Sequence, residues 1–316
     1  MRTIALEEHY ATPTFLAGAG RYLAPFDALV AQLCDLDAGR IDAMDAAGVD
    51  VAVLSLTAPG VEQLGAPDAV AVARDANDLL GAAVGRHPDR LRGFATVPTP
   101  SPQAAAEELE RTVGEYGFVG AVVNGHTAGR YLDDRFFWPI LERASGLGVP
   151  VYLHPTPPPD AVTRAAYGGF APKVVLALST AAWGWHVDTA THVLRLVLGG
   201  VFDRFPDLQV VIGHMGETLP FLLPRFDLAL PTPVTGLARP VSAYLRENLH
   251  YTFAGFNWVP TFLSLLAQVG AERILFSTDH PYGSMREARD FLDALPVGSG
   301  DRARIAHGNA ERLLGR

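Results

Sequence analysis

Near the amino terminus, the stretch "ALEEHY" (5–10) sets two carboxylates and an imidazole side by side where an apolar run ends. If the run is a strand, side chains alternate faces, so Glu7 and His9 point one way and Glu8 the other. A carboxylate and an imidazole on one face can chelate a divalent metal; they can equally be a polar strand end. The rest of the chain holds further residues of the same kind. His154 follows apolar "VYL", His214 follows "VVIG", and Asp279 follows "ILFST". Each stands at the carboxyl end of an apolar run. Glu7, His9, His154 and Asp279 together offer two oxygens and two nitrogens, a set that suits Zn, Mn or Fe(II) better than Ca. His214 is then left over, as a fifth ligand or as a proton shuttle. Glu217 stands three residues on, where the next helix is expected to start, and could fix the tautomer of His214.

The elements that must position these residues recur along the chain. Eight apolar, β-branched runs are expected as strands, at 3–10, 49–56, 91–99, 118–126, 149–155, 208–216, 249–256 and 273–282. Most are continuous rather than alternating, as in parallel strands buried on both faces. Helical patterns at 68–86, 102–116 and 191–205 lie between them. Eight strand–helix units imply an α/β fold of the (β/α)8 barrel type, occupying 1–316 as one domain. An open doubly wound sheet is the alternative, but no G-x-G-x-x-G follows the first strand. Residues 11–38 and 156–185 are expected as long loops over the carboxyl ends of the strands, where barrel active sites lie.

Composition narrows the class. The 316 residues are 49% hydrophobic with a net charge of −9 and no basic run, which speaks against nucleic-acid binding. No signal segment opens the chain, and no apolar run has the length of a membrane span. A lone cysteine, Cys34, excludes an internal disulfide and fits a reducing cytoplasm.

The motifs "ALEEH", "LSLTAP", "GFVGAVVNG", "YLHP", "GVFDRFPDLQVVIGHMGE", "PFLLPRFD", "RILFSTDHP" and "GNAERLL" resemble the amidohydrolase superfamily. Within it they are most similar to the metal-dependent non-oxidative decarboxylases of γ-resorcylate, 2,3-dihydroxybenzoate and 5-carboxyvanillate. Hydrolytic members usually begin with His-x-His, and binuclear ones carry a carbamylated lysine on a strand. Here the single lysine, Lys173, falls in an expected loop. The resemblance implies one Mn or Zn ion held by Glu7, His9, His154 and Asp279. It implies that Asp279, assisted by His214 and Glu217, protonates the ring carbon of an ortho-hydroxy aromatic acid, which then releases CO2. Asn124, Tyr282, Phe15 and Tyr22 are candidates for contact with the substrate. Arg225 is a further candidate, reaching across a subunit interface of a dimer or tetramer, with a surface ion pair as the plainer reading. Two readings compete: a metal-dependent hydrolase or hydratase on the same fold, and a barrel that binds metal without turnover. The family often has Asp-Trp-Pro where this chain has Asp279-His280-Pro281, and an Arg where it has Thr156. Both departures bear on substrate identity.

Overall fold

In the computed structural model, which describes residues 1–315, all eight expected strands form. They are β1 (Ile4–Tyr10), β2 (Val51–Leu56), β3 (Leu91–Thr96), β4 (Gly120–Asn124), β5 (Val151–His154), β6 (Val210–Ile212), β7 (Leu249–Thr252) and β8 (Ile274–Leu275). They pair in parallel, in sequence order, as one eight-stranded sheet. Backbone hydrogen bonds from Leu6 N–H to Phe276 O (3.2 Å) and from His9 N–H to His280 O (2.7 Å) bring the far edge back onto β1. The result is a (β/α)8 barrel.

Two apolar layers fill it. Ile4, Leu6, Val53, Phe94, Val122, Tyr152, Val211 and Leu275 pack inside the barrel, while alternate residues such as Ala5, Leu54, Val123 and Leu153 pack outward against the helices. Since the strands are buried on both faces, they read as unbroken apolar runs. Helices Ala66–Arg86 and Pro102–Tyr116 stand within two residues of their expected places. The helix expected over 191–205 begins earlier, at Gly184, and stops at Leu198. There Gly199 and Gly200 interrupt it, Gly200 taking a left-handed φ of +73° that glycine adopts without penalty. The expected long loops also carry structure. Segment 11–38 contains helices Pro13–Ala17 and Asp27–Cys34, and segment 156–185 contains helix Pro172–Ser179. Their buried residues, Phe15, Leu33 and Ser179 among them, give each short helix a surface to pack against.

Candidate metal centre and active site

The site is built first by an irregularity in β1. Its register against β2 shifts between Ala5 and Glu8, so that Leu6 and Glu7 face the single residue Val53. A β-bulge of this kind places two successive side chains on the same side. Leu6 therefore joins the inner core while Glu7 also points into the barrel. Without the bulge, strict alternation after Leu6 would turn Glu7 and His9 outward. Glu8 faces the other way. It accepts hydrogen bonds from the Thr278 N–H (2.9 Å) and hydroxyl (2.5 Å), lacing β1 to the segment that carries Asp279. Burial pushes the Glu8 carboxyl up to about 8, against the pull of those bonds and of buried Arg40. Arg40 in turn donates to the His9 carbonyl at 2.7 Å.

Glu7 is fully buried. One carboxylate oxygen, Oε2, accepts from the Tyr152 and Thr252 hydroxyls. The other, Oε1, has no hydrogen-bond partner and lies 3.3 Å from His154 Nε2 and 3.9 Å from His214 Nε2. Burial opposes the Glu7 charge, but His214, His154 and His9 outweigh it and hold the carboxyl well below the usual range. Gly213 is required by close approach: a Cβ there would stand 2.6 Å from Glu7 Oε2. His154 is level with Asn124 of β4, and its Nδ1–H donates to the Pro155 carbonyl at 2.8 Å. That bond leaves the lone pair of Nε2 turned on Glu7 Oε1. His9 Nε2 is 3.2 Å from Asp279 Oδ1, and the His9 and His154 rings meet edge to face at 4.8 Å. Burial lowers the pKa of His9 and favours its neutral, ligating form.

A cation fits here. Two acceptors 3.3 Å apart, one of them an orphaned buried carboxylate oxygen, require a proton or a cation between them. Glu7, His9 and His154 bring one oxygen and two nitrogens within 4.8 Å of one another, a mixed set that suits a divalent transition ion, and Asp279 stands against His9 at its side.

Beside this set lies a second buried cluster. The Glu217 carboxylate bridges two imidazoles, His214 Nδ1 at 2.8 Å and His186 Nδ1 at 2.5 Å, and His186 Nε2 meets the Ala181 carbonyl at 3.0 Å. Burial raises and the two histidines lower the Glu217 pKa, the histidines prevailing. For His214 burial works downward, but the Glu217 and Glu7 carboxylates push it up to about 10. Neither His214 nor Asp279 sits on its strand, since β6 ends at Ile212 and β8 at Leu275. Both lie just beyond, in turns of left-handed backbone: φ is +52° at His214, +57° at Met215, +53° at Glu217, +72° at Thr218 and +60° at Asp279. Side chains other than glycine pay about 1 kcal/mol each for this region. Such strain concentrates at functional sites. Glu217 precedes helix Leu219–Ala229 by two residues, so it is held by the two imidazoles rather than by a helix end.

The remaining expected residues are dispersed. Asn124 is buried on the inward face of β4, its carboxamide unpartnered. Tyr282 is half-exposed, bonded to Thr57 Oγ1 at 2.7 Å, with its ring edge-on to His9 at 5.5 Å. Tyr22, also half-exposed, donates to the Ala58 carbonyl at 2.6 Å and borders Tyr282. Phe15 is a correction: it is fully buried in the outer core, under Gly20, because its short helix packs inward there. Arg225 is exposed on helix Leu219–Ala229, on one face with Phe221 and Leu228, and makes no ion pair among the described residues. Sequence reasoning left His186 unassigned and missed Tyr152, Thr252 and Glu62. Tyr152 and Thr252 were concealed as ordinary strand residues, though inward alternation with His154 would have marked Tyr152.

The profile of the amidohydrolase family matches residues 26–316. The γ-resorcylate decarboxylase of Polaromonas sp. is 38% identical, covering 98% of each chain. A crystal structure of 2,6-dihydroxybenzoate decarboxylase in complex with 2,6-dihydroxybenzoate superposes with a TM-score of 0.92, at 35% identity over 100% of both chains. The 5-carboxyvanillate decarboxylase of Novosphingobium aromaticivorans, solved with bound manganese, gives 0.92 at 32% identity over 100% of this chain and 97% of its own. The chain belongs to the amidohydrolase family, in the branch of the γ-resorcylate and 5-carboxyvanillate decarboxylases.

Proposed function

We propose that this protein catalyses non-oxidative decarboxylation of an ortho-hydroxy aromatic acid of the dihydroxybenzoate class. One observation carries the reading: a divalent-ion donor set and a buried His186–Glu217–His214 chain meet at one carboxylate, Glu7, inside the barrel mouth. Glu7, His9, His154 and Asp279 would hold the ion, manganese in the relative solved with it. When bound, the ion would supply positive charge that anchors the acid's carboxylate and neighbouring hydroxyl and so holds the ring carbon in place.

The chain's own residues do the rest. Asp279, as the carboxylic acid, gives its proton to the ring carbon that bears the carboxylate. The C–C bond then breaks, its electron pair restores aromaticity, and CO2 departs. His214 lies beside Glu7 in its cationic form and is aligned by Glu217, so it can return a proton to Asp279. His186 secures the far oxygen of Glu217. Tyr282 and Tyr22 line the entrance, and Asn124 faces the substrate beside His154. Manganese-dependent release of CO2 from 2,6-dihydroxybenzoate is the expected result; a metal-loaded protein that leaves the acid intact would refute the reading.

The partner in solution is a second copy of the chain. Phe221, Leu228 and Val234 are 80%, 73% and 71% exposed, and Trp258 is 56% exposed, large apolar side chains of the kind a second copy would cover. Arg225 lies on the same face as Phe221 and Leu228. Sedimentation is expected to give a dimer or tetramer, and a monomer at micromolar concentration would contradict this. Among the described residues, no helix is long and apolar enough to cross a membrane. The free thiol of Cys34 supports a cytoplasmic setting.

A further inference from the structure

Glu62, in the loop after β2, is buried and belongs to neither cluster described above. Its Oε1 accepts the Asn124 N–H at 2.6 Å and so ties this loop to the end of β4. Its Oε2 has no hydrogen-bond partner, and neither have Oδ1 and Nδ2 of the Asn124 carboxamide. Buried polar atoms are nearly always paired; here Glu62 Oε2 and the Asn124 carboxamide bear only on one another, and Asn124 Oδ1 on nothing, so the two adjoining side chains mark a place that a ligand completes. Oε2 and Nδ2 both lie over the bare α-carbon of Gly60, where a Cβ would stand 2.2 Å and 2.4 Å from them. Gly60 has a φ of +61°, which glycine accepts freely. The pair borders the metal ligands, because Asn124 is level with His154 across the β4–β5 ladder. The same two loops continue into the wall of a cavity of about 430 Å³, lined by Pro59, Gln63, His126 and Thr156.

Burial pushes the Glu62 carboxyl up to about 8, outweighing the N–H groups of Asn124, Glu62 and Val61 and the Asn124 carboxamide beside it. At neutral pH it is an uncharged acid with one donor and one acceptor, beside a carboxamide that also offers both. A surface of this kind suits a neutral hydroxyl, which gives and accepts at once. We propose that Glu62 and Asn124 form a hydroxyl subsite, in which Glu62 selects aromatic acids that carry a second ring hydroxyl besides the one beside the carboxylate. The inference rests on the decarboxylase reading for its substrate class.

The test compares 2,6-dihydroxybenzoate with 2-hydroxybenzoate on the manganese-loaded protein, measuring binding by calorimetry and turnover by CO2 release. Wild type is expected to bind the dihydroxy acid about tenfold more tightly, the value of one or two well-made hydrogen bonds. Glu62→Leu is expected to erase most of that ratio, while Glu62→Gln, which keeps a donor and an acceptor, restores it. Manganese content and unfolding temperature, measured on both variants, separate this from misfolding. Equal binding of the two acids by wild type, or an equal loss for both in Glu62→Leu, would overturn the subsite. A wild type that prefers the dihydroxy acid yet releases no CO2 supports the subsite and removes the decarboxylase reading alone.

Discussion

Asp279→Asn is expected to lower kcat by about 10³ or more, the upper part of the range for a lost proton donor, while leaving the fold intact. Asparagine has the same shape and tolerates left-handed backbone, so the +60° turn at this position survives the change. The amide has no proton to give a ring carbon and brings no negative charge to a cation. Its contact with His9 Nε2, 3.2 Å in wild type, can persist through the amide. CO2 release, manganese content and unfolding temperature measured together are expected to show activity lost, metal weakened and stability within a few degrees. Activity within tenfold of wild type would remove Asp279 from the proton-transfer step.

The second large effect falls on the His214–Glu217 pair. His214→Asn is expected to cost about 10²–10⁴ in kcat, with a smaller change in KM, because the side chain moves a proton rather than holding the acid. Glu217→Gln tests the electrostatics. Burial alone would lower the His214 pKa, and the Glu217 carboxylate is the largest charge opposing it. Neutralising Glu217 therefore lowers the pKa of His214, and the alkaline limb of the kcat profile is expected to move to lower pH. A profile from pH 6 to 10 decides it. A limb that stays in place, or moves upward, would show that Glu217 does not hold the charge of His214.

Much of this site can be read from spacing alone. Residues ending different apolar runs meet at one mouth because a closed parallel barrel gathers all its carboxyl ends. Glu7 and His9 share a face as alternation requires, but which face depends on the bulge after Ala5, and "ALEEHY" gives no sign of one. His214 and Asp279 stand beyond their strands, in turns whose left-handed backbone no glycine announces at those two positions. His186 escaped assignment because "TAAWGW" reads as loop, whereas the helix starts at Gly184 and presents His186 to Glu217. Glu62 stands in an unremarkable loop, and its partner, the Asn124 N–H, lies far away in sequence. Phe15 shows the converse: an aromatic in a segment over the mouth was drawn into the core, the commoner fate of such a side chain. The role of Arg225 depends on whatever covers an exposed helix face, which lies outside any one chain.

The most direct measurement is decarboxylation in D2O. Protein loaded with manganese would be given 2,6-dihydroxybenzoate, with released CO2 counted and the product followed by proton NMR. One CO2 and one deuterium at the carbon that bore the carboxylate, per turnover, is the predicted result, and it should vanish when manganese is removed. Bound metal with no CO2 and no deuterium at that carbon would contradict the account and turn attention to hydrolysis or hydration in the same barrel mouth.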